Sequence, residues 1–294
     1  MSRPGQDLPG WTYRCVDVFS DGGLSGNPVA VVHDAEDLDD ATMARFAHWT
    51  NLSETTFLLP PTPEGAAAGA DYRLRIFAPG GELPFAGHPT LGSAHAWREA
   101  GGVPRVPGRL VQECGVGLVT VRETGTGGRL AFAAPDLLRS GPPTPAELAA
   151  ATAALGLDPD AVVEASWIDN GPGWLGLLLA DAATVLGLRP DFAAFGDLKL
   201  GVVGPYGAAG AGEADVEVRA FCPQYGVPED PVTGSLNAGL GQWLAGRVLP
   251  ADYVAAQGTV LGRAGRVHVS RQGDQVWVAG DTWTTLRGVL RLPS

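Results

Sequence analysis

The sequence predicts an α+β fold made of two similar lobes. The first observation is an internal repeat, because residues 72–84 and 216–228 align at an offset of 144 residues, close to half of the 294-residue chain. The second is that both segments alternate apolar and polar residues, as strands with one buried face do. The third is that helical patterns are few, while glycine (42 residues) and proline (24 residues) are frequent. These features indicate strand-rich lobes with a small number of helices.

The repeat contains four residues that are identical in both copies. They are Arg75 and Arg219, Phe77 and Phe221, Pro79 and Pro223, and Pro84 and Pro228. Chance matching in a chain rich in Gly and Pro is the alternative, but the same strand, turn and helix signals follow in the same order. Duplication is therefore the favoured interpretation. It predicts an N-terminal lobe of residues 1–140 and a C-terminal lobe of residues 141–294, with the boundary in a Pro-rich stretch.

Further elements follow from local patterns along the chain. A helix is predicted over residues 37–49, which begin with aspartates and place apolar residues on one face. Another is predicted over residues 144–156, which begin with Thr-Pro and end with Gly. Two more helices, one in each half of the repeat, are expected to start near Pro89 and Pro231. Short strands bounded by Gly or charged residues are predicted at 118–123, 129–134, 266–270 and 275–280.

The composition argues against several classes of protein. A formal net charge of −12 disfavours broad binding of nucleic acid, but an anionic small molecule needs only a local positive site. There is no apolar run long enough for a membrane span and no apolar segment of a signal peptide at the N-terminus. Three widely separated cysteines indicate a reducing, cytoplasmic setting without disulfides. No His/Cys ligand cluster and no nucleotide-binding glycine loop appear, so we expect no metal and no other cofactor.

The two repeat helices begin at unusual dipeptides, His-Pro at residues 88–89 and Asp-Pro at residues 230–231. Asp230 is predicted to cap its helix. Gly87 and Gly234 lie close by, and glycine lets a ligand approach the backbone. A helix start offers free N–H groups and partial positive charge, which together bind a carboxylate or a phosphate. For either helix alone a structural cap is the favoured explanation, but two such starts in a repeat favour an anion site in a cleft between the lobes.

Glu54 is the candidate general acid or base. It lies within residues 48–60, between a helix and an apolar strand, among polar residues that include Ser53. A carboxyl group at such a junction beside a cleft can have its pKa raised by burial and then exchange protons near neutral pH. A surface glutamate without a role is the alternative, and sequence spacing alone favours that alternative.

Five segments of the chain resemble the phenazine-biosynthesis isomerase family (PhzF-like), within the diaminopimelate epimerase fold. They run in family order from about residue 17 to 270 and read DVFSDGGLSGNPVAVV, NLSETTFLLP, RIFAPGGELPFAGHPTLGSA, GVPEDPVTGS and QGTVLGRAGRVHV. The resemblance implies two lobes, each a β-barrel-like sheet around a central helix, with the active site in the cleft between them. It also implies proton transfer without a cofactor.

The resemblance assigns roles to individual residues. Glu54 corresponds to the family's proton-carrying glutamate, His88 to the histidine of its GHPT motif, and Asp230 to the aspartate of its DPxTGS motif. These three are the candidate catalytic residues. The candidate substrate-binding residues are Asn27, Ser53, Gly87, Gly234 and Ser235.

Two departures from related proteins concern the substrate. The related epimerases carry a cysteine at each helix start, and this chain carries none there, so racemisation by two thiols is disfavoured. Many relatives have a small residue after the TGS triplet, where this chain has Leu236 and then Asn237. A bulkier pocket wall and a different substrate are therefore expected at these positions.

The leading hypothesis is an isomerase that moves a proton on a small, carboxylate-bearing, amino-acid-like metabolite, in a setting of secondary metabolism. Epimerisation and a hydro-lyase reaction share the proton-abstraction step and stay open, and a non-catalytic binding protein on the same fold is the alternative from a different class. The expected partner is a small anionic substrate, with neither nucleic acid nor membrane, and a homodimer is the candidate assembly.

Overall fold

The computed structural model describes residues 10–124, 128–207 and 213–292. They form eighteen β-strands and six α-helices. The strands are β1 Gly10–Val18, β2 Asn27–Val32, β3 Glu54–Leu59, β4 Tyr72–Ala78, β5 Gly81–Leu83, β6 Arg109–Cys114, β7 Gly117–Thr124, β8 Arg129–Ala133, β9 Arg139–Gly141, β10 Val162–Asp169, β11 Trp174–Leu179, β12 Lys199–Pro205, β13 Val216–Cys222, β14 Val227–Asp230, β15 Asp252–Gln257, β16 Gly265–Gln272, β17 Gln275–Gly280 and β18 Thr282–Arg291. The helices are α1 Asp40–Thr50, α2 Pro63–Ala67, α3 Gly87–Glu99, α4 Pro145–Leu155, α5 Ala182–Gly187 and α6 Gly234–Leu244. None of these described helices is long and apolar enough to cross a membrane.

The pattern of strand pairing repeats after nine strands. In the first half, β1–β2 is antiparallel, β2–β3 parallel, β3–β4 antiparallel and β4–β6 parallel. In the second half, β10–β11, β11–β12, β12–β13 and β13–β15 have the same senses in the same order. Antiparallel pairs then join β6–β7–β8 and β15–β16–β17. The repeat in the sequence is therefore matched by a repeat in the topology of the sheet.

Three strand pairs connect the two repeats. β8 pairs with β17, which holds the equivalent place in the second repeat. β9, the last strand of the first repeat, pairs with β10, and β18, the last strand of the second, pairs with β1. The division at residue 140 falls inside β9. We keep it as a proposal for where the repeats meet, because hydrogen-bonded strands cross it.

Each repeat wraps its strands around one buried helix. α3 packs against β1, β2, β3 and β8, and α6 packs against β10, β11, β16 and β17. Small residues allow this close contact, since a side chain at Gly92 would overlap Val29 and one at Gly239 would overlap the carbonyl oxygen of Ile168. Apolar residues from the strands of both repeats and from both helices form one shared cluster, and two smaller clusters accompany it. The predicted α+β fold, with sheet around central helices, is confirmed.

An ion pair occurs at equivalent places in the two repeats. The Arg75 guanidinium donates to both carboxylate oxygens of Glu82, at 2.8 and 2.7 Å. Arg219 donates in the same two-pronged manner to Glu229, at 2.8 Å for both bonds. Each guanidinium also lies over the phenylalanine two residues further along, 5.1 and 4.8 Å from the ring centroid. The Arg and Phe identities of the sequence repeat thus reflect one shared contact that joins a strand to the short strand after it.

Most predicted elements are confirmed. The helices predicted over residues 37–49 and 144–156 are α1 and α4, whose N-caps are Asp39 and Thr144. The predicted strands correspond to β4, β7, β8, β13, β16 and β17. The short helices α2 and α5 were not predicted, because five or six residues carry too little periodicity to be recognised.

The prediction that Asp230 caps the second repeat helix is wrong. α6 begins at Gly234 with Thr233 as its N-cap residue, and Asp230 is the last residue of β14. The chain stays extended through Asp230 because this residue pairs with Ala220 on β13. The carboxylate is therefore free of the helix backbone and has other partners, described below.

Two buried tyrosines allow a matched test of core polarity. Tyr72 donates its hydroxyl to Gln112 Oε1 at 3.2 Å, whereas the Tyr253 hydroxyl has no hydrogen-bond partner among the described residues. We expect Tyr253→Phe to raise the free energy of unfolding by about 1 kcal/mol, because an unpaired buried polar group is destabilising. Tyr72→Phe should lower it by about 1 kcal/mol. Chemical denaturation measures both, and a destabilised Tyr253→Phe protein would contradict the expectation.

Candidate active site

The starts of α3 and α6 touch each other. A side-chain carbon added at Gly87 would lie 2.7 Å from the Gly234 Cα, and one added at Gly234 would lie 2.8 Å from the Gly87 Cα. Backbone atoms cannot move aside as the end of a flexible side chain can, so a larger residue would push the helices apart. Glycine is therefore required at both positions by the contact between the helices.

Both helix starts lack a capping side chain. The N-cap residues Ala86 and Thr233 make no side-chain hydrogen bond to the first turn. The first amides of a helix have no partner within it, and a helix start carries a partial positive charge of about half an elementary charge. Two such starts in contact form a place that attracts an anion.

Glu54 enters this place from the start of β3. α1 ends at Thr50, and its C-cap residue Asn51 has a left-handed conformation (φ 56°) that turns the chain. Glu54 then pairs with Val29 in the parallel β2–β3 ladder. Its Oε2 lies 3.4 Å from Nε2 of His88, the second residue of α3, and the two side chains are 14% and 3% exposed. Neither of these two buried atoms makes a hydrogen bond within the described part of the chain. The carboxyl group and the imidazole thus face each other, each with one polar atom available.

Asp230 approaches the same point from the end of β14. Its Oδ1 accepts a hydrogen bond from Asn27 Nδ2 at 2.7 Å, and its Oδ2 accepts one from the Thr233 hydroxyl at 2.5 Å. Asn27 is the first residue of β2, and its Nδ2 also lies 3.4 Å from His88 Nδ1. The Ser53 hydroxyl donates to Asn27 Oδ1 at 3.2 Å. One amide of the first repeat therefore connects the candidate residues of both repeats.

Asn27 also favours one tautomer of His88. The Asn27 Nδ2 group donates to Asp230 and to the carbonyl of Val232, at 3.0 Å for the latter. An amide nitrogen cannot accept a hydrogen bond, so a proton on His88 Nδ1 would find no acceptor at Asn27, which favours the neutral tautomer with its proton on Nε2. By this assignment, His88 presents an N–H group toward Glu54.

Burial sets the protonation states of the three groups. It raises the pKa of Glu54 well above its usual value, and the charge of Asp230 adds to that rise. It raises the pKa of Asp230 to about 6, although hydrogen bonds from Thr233 and Asn27 oppose this rise. It lowers the pKa of His88 to about 3, so the imidazole is neutral at neutral pH. The exchangeable proton of the site therefore resides on a carboxyl group and not on the histidine.

A cavity opens beside these groups. It contains about 410 Å³ of space, open solvent at its mouth included. Both polar and apolar residues line it; the described lining residues are Ser53, Glu54, Leu83, Phe85, Ala86, Pro172, Trp174, Cys222, Val227, Asp230, Thr233 and Ser235. None of these is a lysine or an arginine, so a carboxylate bound among them would depend on amides and hydroxyl groups. No group of three or more His, Cys, Asp or Glu side chains in the described ranges is placed to hold a metal ion.

The structure brings the predicted site residues together. Glu54, His88 and Asp230 meet around Asn27, with Ser53 bonded to the same amide. Gly87, Gly234 and Ser235 lie in the first turns of the two helices. Their catalytic and binding roles stay predictions.

Leu236 does not form the expected pocket wall. It is fully buried and lies against Gly201 on β12, where any side chain would overlap it. Asn237 is also buried and donates to the carbonyl of Thr233 and to Gln257 Oε1, at 2.9 and 3.0 Å. Both side chains are directed into the core, because Gly201 leaves room there for the larger residue.

Three residues of the site were missed in the sequence. Thr233 lies within the DPVTGS segment, between two residues that were selected. Trp174 lies in a Gly-Pro-Gly-Trp segment that parallels Ser-Gly-Asn-Pro around Asn27, so a signal existed. Cys222 is not among the residues selected from the sequence, but it lines the cavity. Its thiol donates to the carbonyl of Val227 at 3.5 Å, and burial raises its pKa well above the usual value, so it is a neutral thiol.

Comparison with known proteins gives matches over nearly the whole chain. The family described as phenazine biosynthesis-like protein matches residues 16–288. Antisense-enhancing sequence 1 of Schizosaccharomyces pombe is 35% identical and covers 94% of this chain and 97% of its own length. The trans-2,3-dihydro-3-hydroxyanthranilate isomerase of Pseudomonas aeruginosa is 36% identical, with coverage of 89% and 90%. A solved structure of a PhzF-family phenazine biosynthesis protein from Enterococcus faecalis is 27% identical, has a TM-score of 0.77, and covers 97% of this chain and 100% of its own.

The contact between the helix starts predicts a large cost for one added methyl group. Gly87→Ala should lower the free energy of unfolding by about 1–3 kcal/mol, because the new carbon meets backbone on the other helix. Gly187→Ala is the matched control, since a side chain at Gly187 in α5 meets nothing within 4 Å. Thermal or chemical denaturation compares the two variants, and equal stabilities would contradict the contact.

The raised pKa of Asp230 predicts a difference in pH dependence between wild type and Asp230→Asn. Between pH 3.8 and about 6 the folded state keeps a proton on Asp230 that the unfolded state has lost, so this group's contribution to stability falls as pH rises. The shift corresponds to about 3 kcal/mol. His88, whose lowered pKa gives the opposite slope, is present in both proteins.

Chemical denaturation at several pH values measures this difference. Relative to wild type, Asp230→Asn should gain stability steadily from pH 4 to pH 6, and a further gain above pH 6 is expected from Glu54, whose pKa the charge of Asp230 raises. Asp252→Asn, at an exposed aspartate, is the control and should follow the wild type. A difference between wild type and Asp230→Asn that does not change with pH would show that Asp230 titrates normally.

Proposed function

The chain belongs to the phenazine biosynthesis-like protein family, and from this premise we propose that it is an isomerase that moves a proton by general acid/base catalysis. The proposed substrate is a small, carboxylate-bearing, amino-acid-like metabolite, converted without a cofactor. The observation that carries this proposal is the pair of facing, unpartnered atoms, Glu54 Oε2 and His88 Nε2, next to the cavity and to Asp230.

The substrate carboxylate is proposed to lie at the two helix starts. The cavity lining includes Ser235, in the first turn of α6, and Ala86, the N-cap residue of α3. Amides of a first turn donate to an anion, and the helix dipole favours negative charge there. This arrangement would allow an acidic protein, whose described cavity lining contains no basic residue, to bind an anion.

Glu54 is proposed to carry the proton. As a carboxylate it takes a proton from a carbon beside an electron-withdrawing group, and the electrons of that C–H bond move into the adjacent unsaturated system. The protonated Glu54 then gives the proton to a different carbon, where a new C–H bond forms as the double bond shifts. Burial and the charge of Asp230 support this role, because a raised pKa brings a carboxyl group closer to the working pH.

His88 and Asp230 are proposed to assist from opposite sides. The neutral His88 directs its Nε2–H toward Glu54 and can donate to the carboxylate while Glu54 is ionised. Asp230, held by Asn27 and Thr233, raises the energy of that same carboxylate by its charge. Donor and neighbouring charge together keep the two protonation states of Glu54 close in energy.

The compound named for the Pseudomonas aeruginosa relative, trans-2,3-dihydro-3-hydroxyanthranilate, is the first substrate to assay. It carries the features that the site requires, namely a carboxylate and an unsaturated ring from which a proton can be lost and regained. A panel of small unsaturated amino acids in deuterium oxide extends the search, because exchange of a C–H proton can be followed by NMR whatever the product.

Glu54→Gln tests the proposal. The variant keeps the shape of the side chain but cannot exchange a proton, so turnover should fall by at least about 10²–10⁴-fold while substrate binding changes little. The wild type should incorporate solvent deuterium into the product, and the variant should not. Glu36→Gln, at an exposed glutamate, is the matched control and should behave as wild type.

Other outcomes identify other functions. Inversion at the carbon that lost the proton indicates an epimerase, and loss of water indicates a hydro-lyase. Tight binding without any exchange indicates a binding protein on the same fold. Near-normal turnover and deuterium uptake in Glu54→Gln would remove Glu54 from the mechanism.

A further inference from the structure

We propose that Trp174 is a positioning residue that directs the hydroxyl proton of Ser235 toward the substrate carboxylate. The inference rests on the proposed function, since it takes Ser235 to be part of the carboxylate site. Trp174 acts through Ser235 and by hydrogen bonding. This role is distinct from the apolar wall that its ring supplies to the cavity.

The geometry fixes Ser235 from two sides. Trp174 is the first residue of β11 and is 2% exposed. Its indole Nε1–H donates to Ser235 Oγ at 3.0 Å. The side-chain amide of Asn170 donates to the main-chain carbonyl of Ser235 at 2.9 Å. The loop before β11 and the first residue of β11 therefore hold both the backbone and the side chain of this serine.

The direction of the hydroxyl proton follows from the donor and acceptor capacity of serine. A serine hydroxyl has one proton to donate and two lone pairs that accept. The indole N–H can only donate, so one lone pair of Ser235 Oγ is occupied by Trp174 and the hydroxyl proton must point elsewhere. Among the described side chains no acceptor is bonded to that proton, and Ser235 lines the cavity. A substrate carboxylate placed at the helix start is the acceptor that this arrangement lacks.

The two repeats contribute similar donors from the beginning of the same strand, at ladder positions two residues apart. Asn27 begins β2 and donates to Asp230, while Trp174 begins β11 and donates to Ser235. These two strands hold equivalent places in the nine-strand repeat. Each repeat thus contributes the first residue of its second strand to position one polar group near the start of α6.

The hydrogen bond can be removed without removing the ring. Trp174→Phe keeps an aromatic wall and loses the N–H group. Site-specific replacement of Trp174 by 3-benzothienylalanine keeps the shape of the indole and substitutes sulfur for the N–H. It distinguishes loss of the hydrogen bond from loss of packing, even if the phenylalanine variant is unstable. Trp243→Phe is the matched control, because its indole N–H donates to Glu164 Oε1 at 3.1 Å, away from the cavity lining.

The probe is anthranilate, a small aromatic amino-carboxylate, and its affinity is measured by titration calorimetry. Ser235→Ala should weaken binding about 10-fold, as for a hydrogen bond to a charged group, and both changes at Trp174 about 5-fold. The double variant should bind no more weakly than Ser235→Ala alone, because Trp174 acts through Ser235. With a turned-over substrate, the Trp174 variants should raise KM and leave kcat within about twofold.

Several results would overturn the inference. They are wild-type affinity in the benzothienylalanine protein, multiplicative losses in the double variant, or no anthranilate binding by the wild type at millimolar concentration. The test needs no turnover. If Glu54→Gln disproved the isomerase mechanism, measured coupling between Trp174 and Ser235 in anthranilate binding would still support this inference. If the protein were an active isomerase but the two residues had independent effects on binding, the proposed function would stand and this inference would not.

Discussion

The contact between Gly87 and Gly234 is the constraint on which the candidate site depends. It places two helix starts head to head, and the chain buries two carboxyl groups, Glu54 and Asp230, close to them. A helix start favours a nearby anion by about 0.3–2 kcal/mol. The rise in the pKa of Asp230 from 3.8 to about 6 corresponds to about 3 kcal/mol in the opposite sense. Burial therefore outweighs the helix ends, and the site contains weak acids close to two helix starts.

The exchange of strands between the repeats keeps this contact in place. β8–β17, β9–β10 and β18–β1 are all backbone ladders that cross from one repeat to the other. Separation of the two helix starts would strain these ladders along with the apolar cluster that both repeats share. Hydrogen-bond donors that are already in position need no rearrangement when charge develops on a bound molecule. Fixed dipoles stabilise such developing charge most effectively. The architecture is thus suited to a preformed anion site more than to one that assembles on binding.

The parts of the fold that depend on local pattern could be predicted, and those that depend on distant partners could not. The alternation of apolar and polar residues identified β4 and β13, and residues typical of helix starts and ends identified α1 and α4. These signals lie within a few residues of each other. Asp230 was assigned to a helix cap from its neighbour Pro231, yet its partners include Asn27, which is 203 residues away. Leu236 was expected at a pocket wall, and only the absence of a side chain at Gly201 directs it into the core. The candidate site residues came from the resemblance to a family, since no spacing in this chain shows that Glu54 faces His88.

Some positions that are equivalent in the backbone of the two repeats carry different side chains. Glu54 pairs with Val29 in the β2–β3 ladder, and Lys199 pairs with Trp174 in the equivalent β11–β12 ladder. The position that carries the candidate proton carrier in one repeat thus carries a lysine in the other. An enzyme that inverts a carbon needs an acid and a base on opposite faces of the substrate, which a symmetric pair of groups would supply. A single glutamate, with Asp230 and the neutral His88 beside it, instead suits the removal and return of one proton on one face. Epimerisation by two equivalent thiols at the helix starts is disfavoured as well, because neither start carries a cysteine.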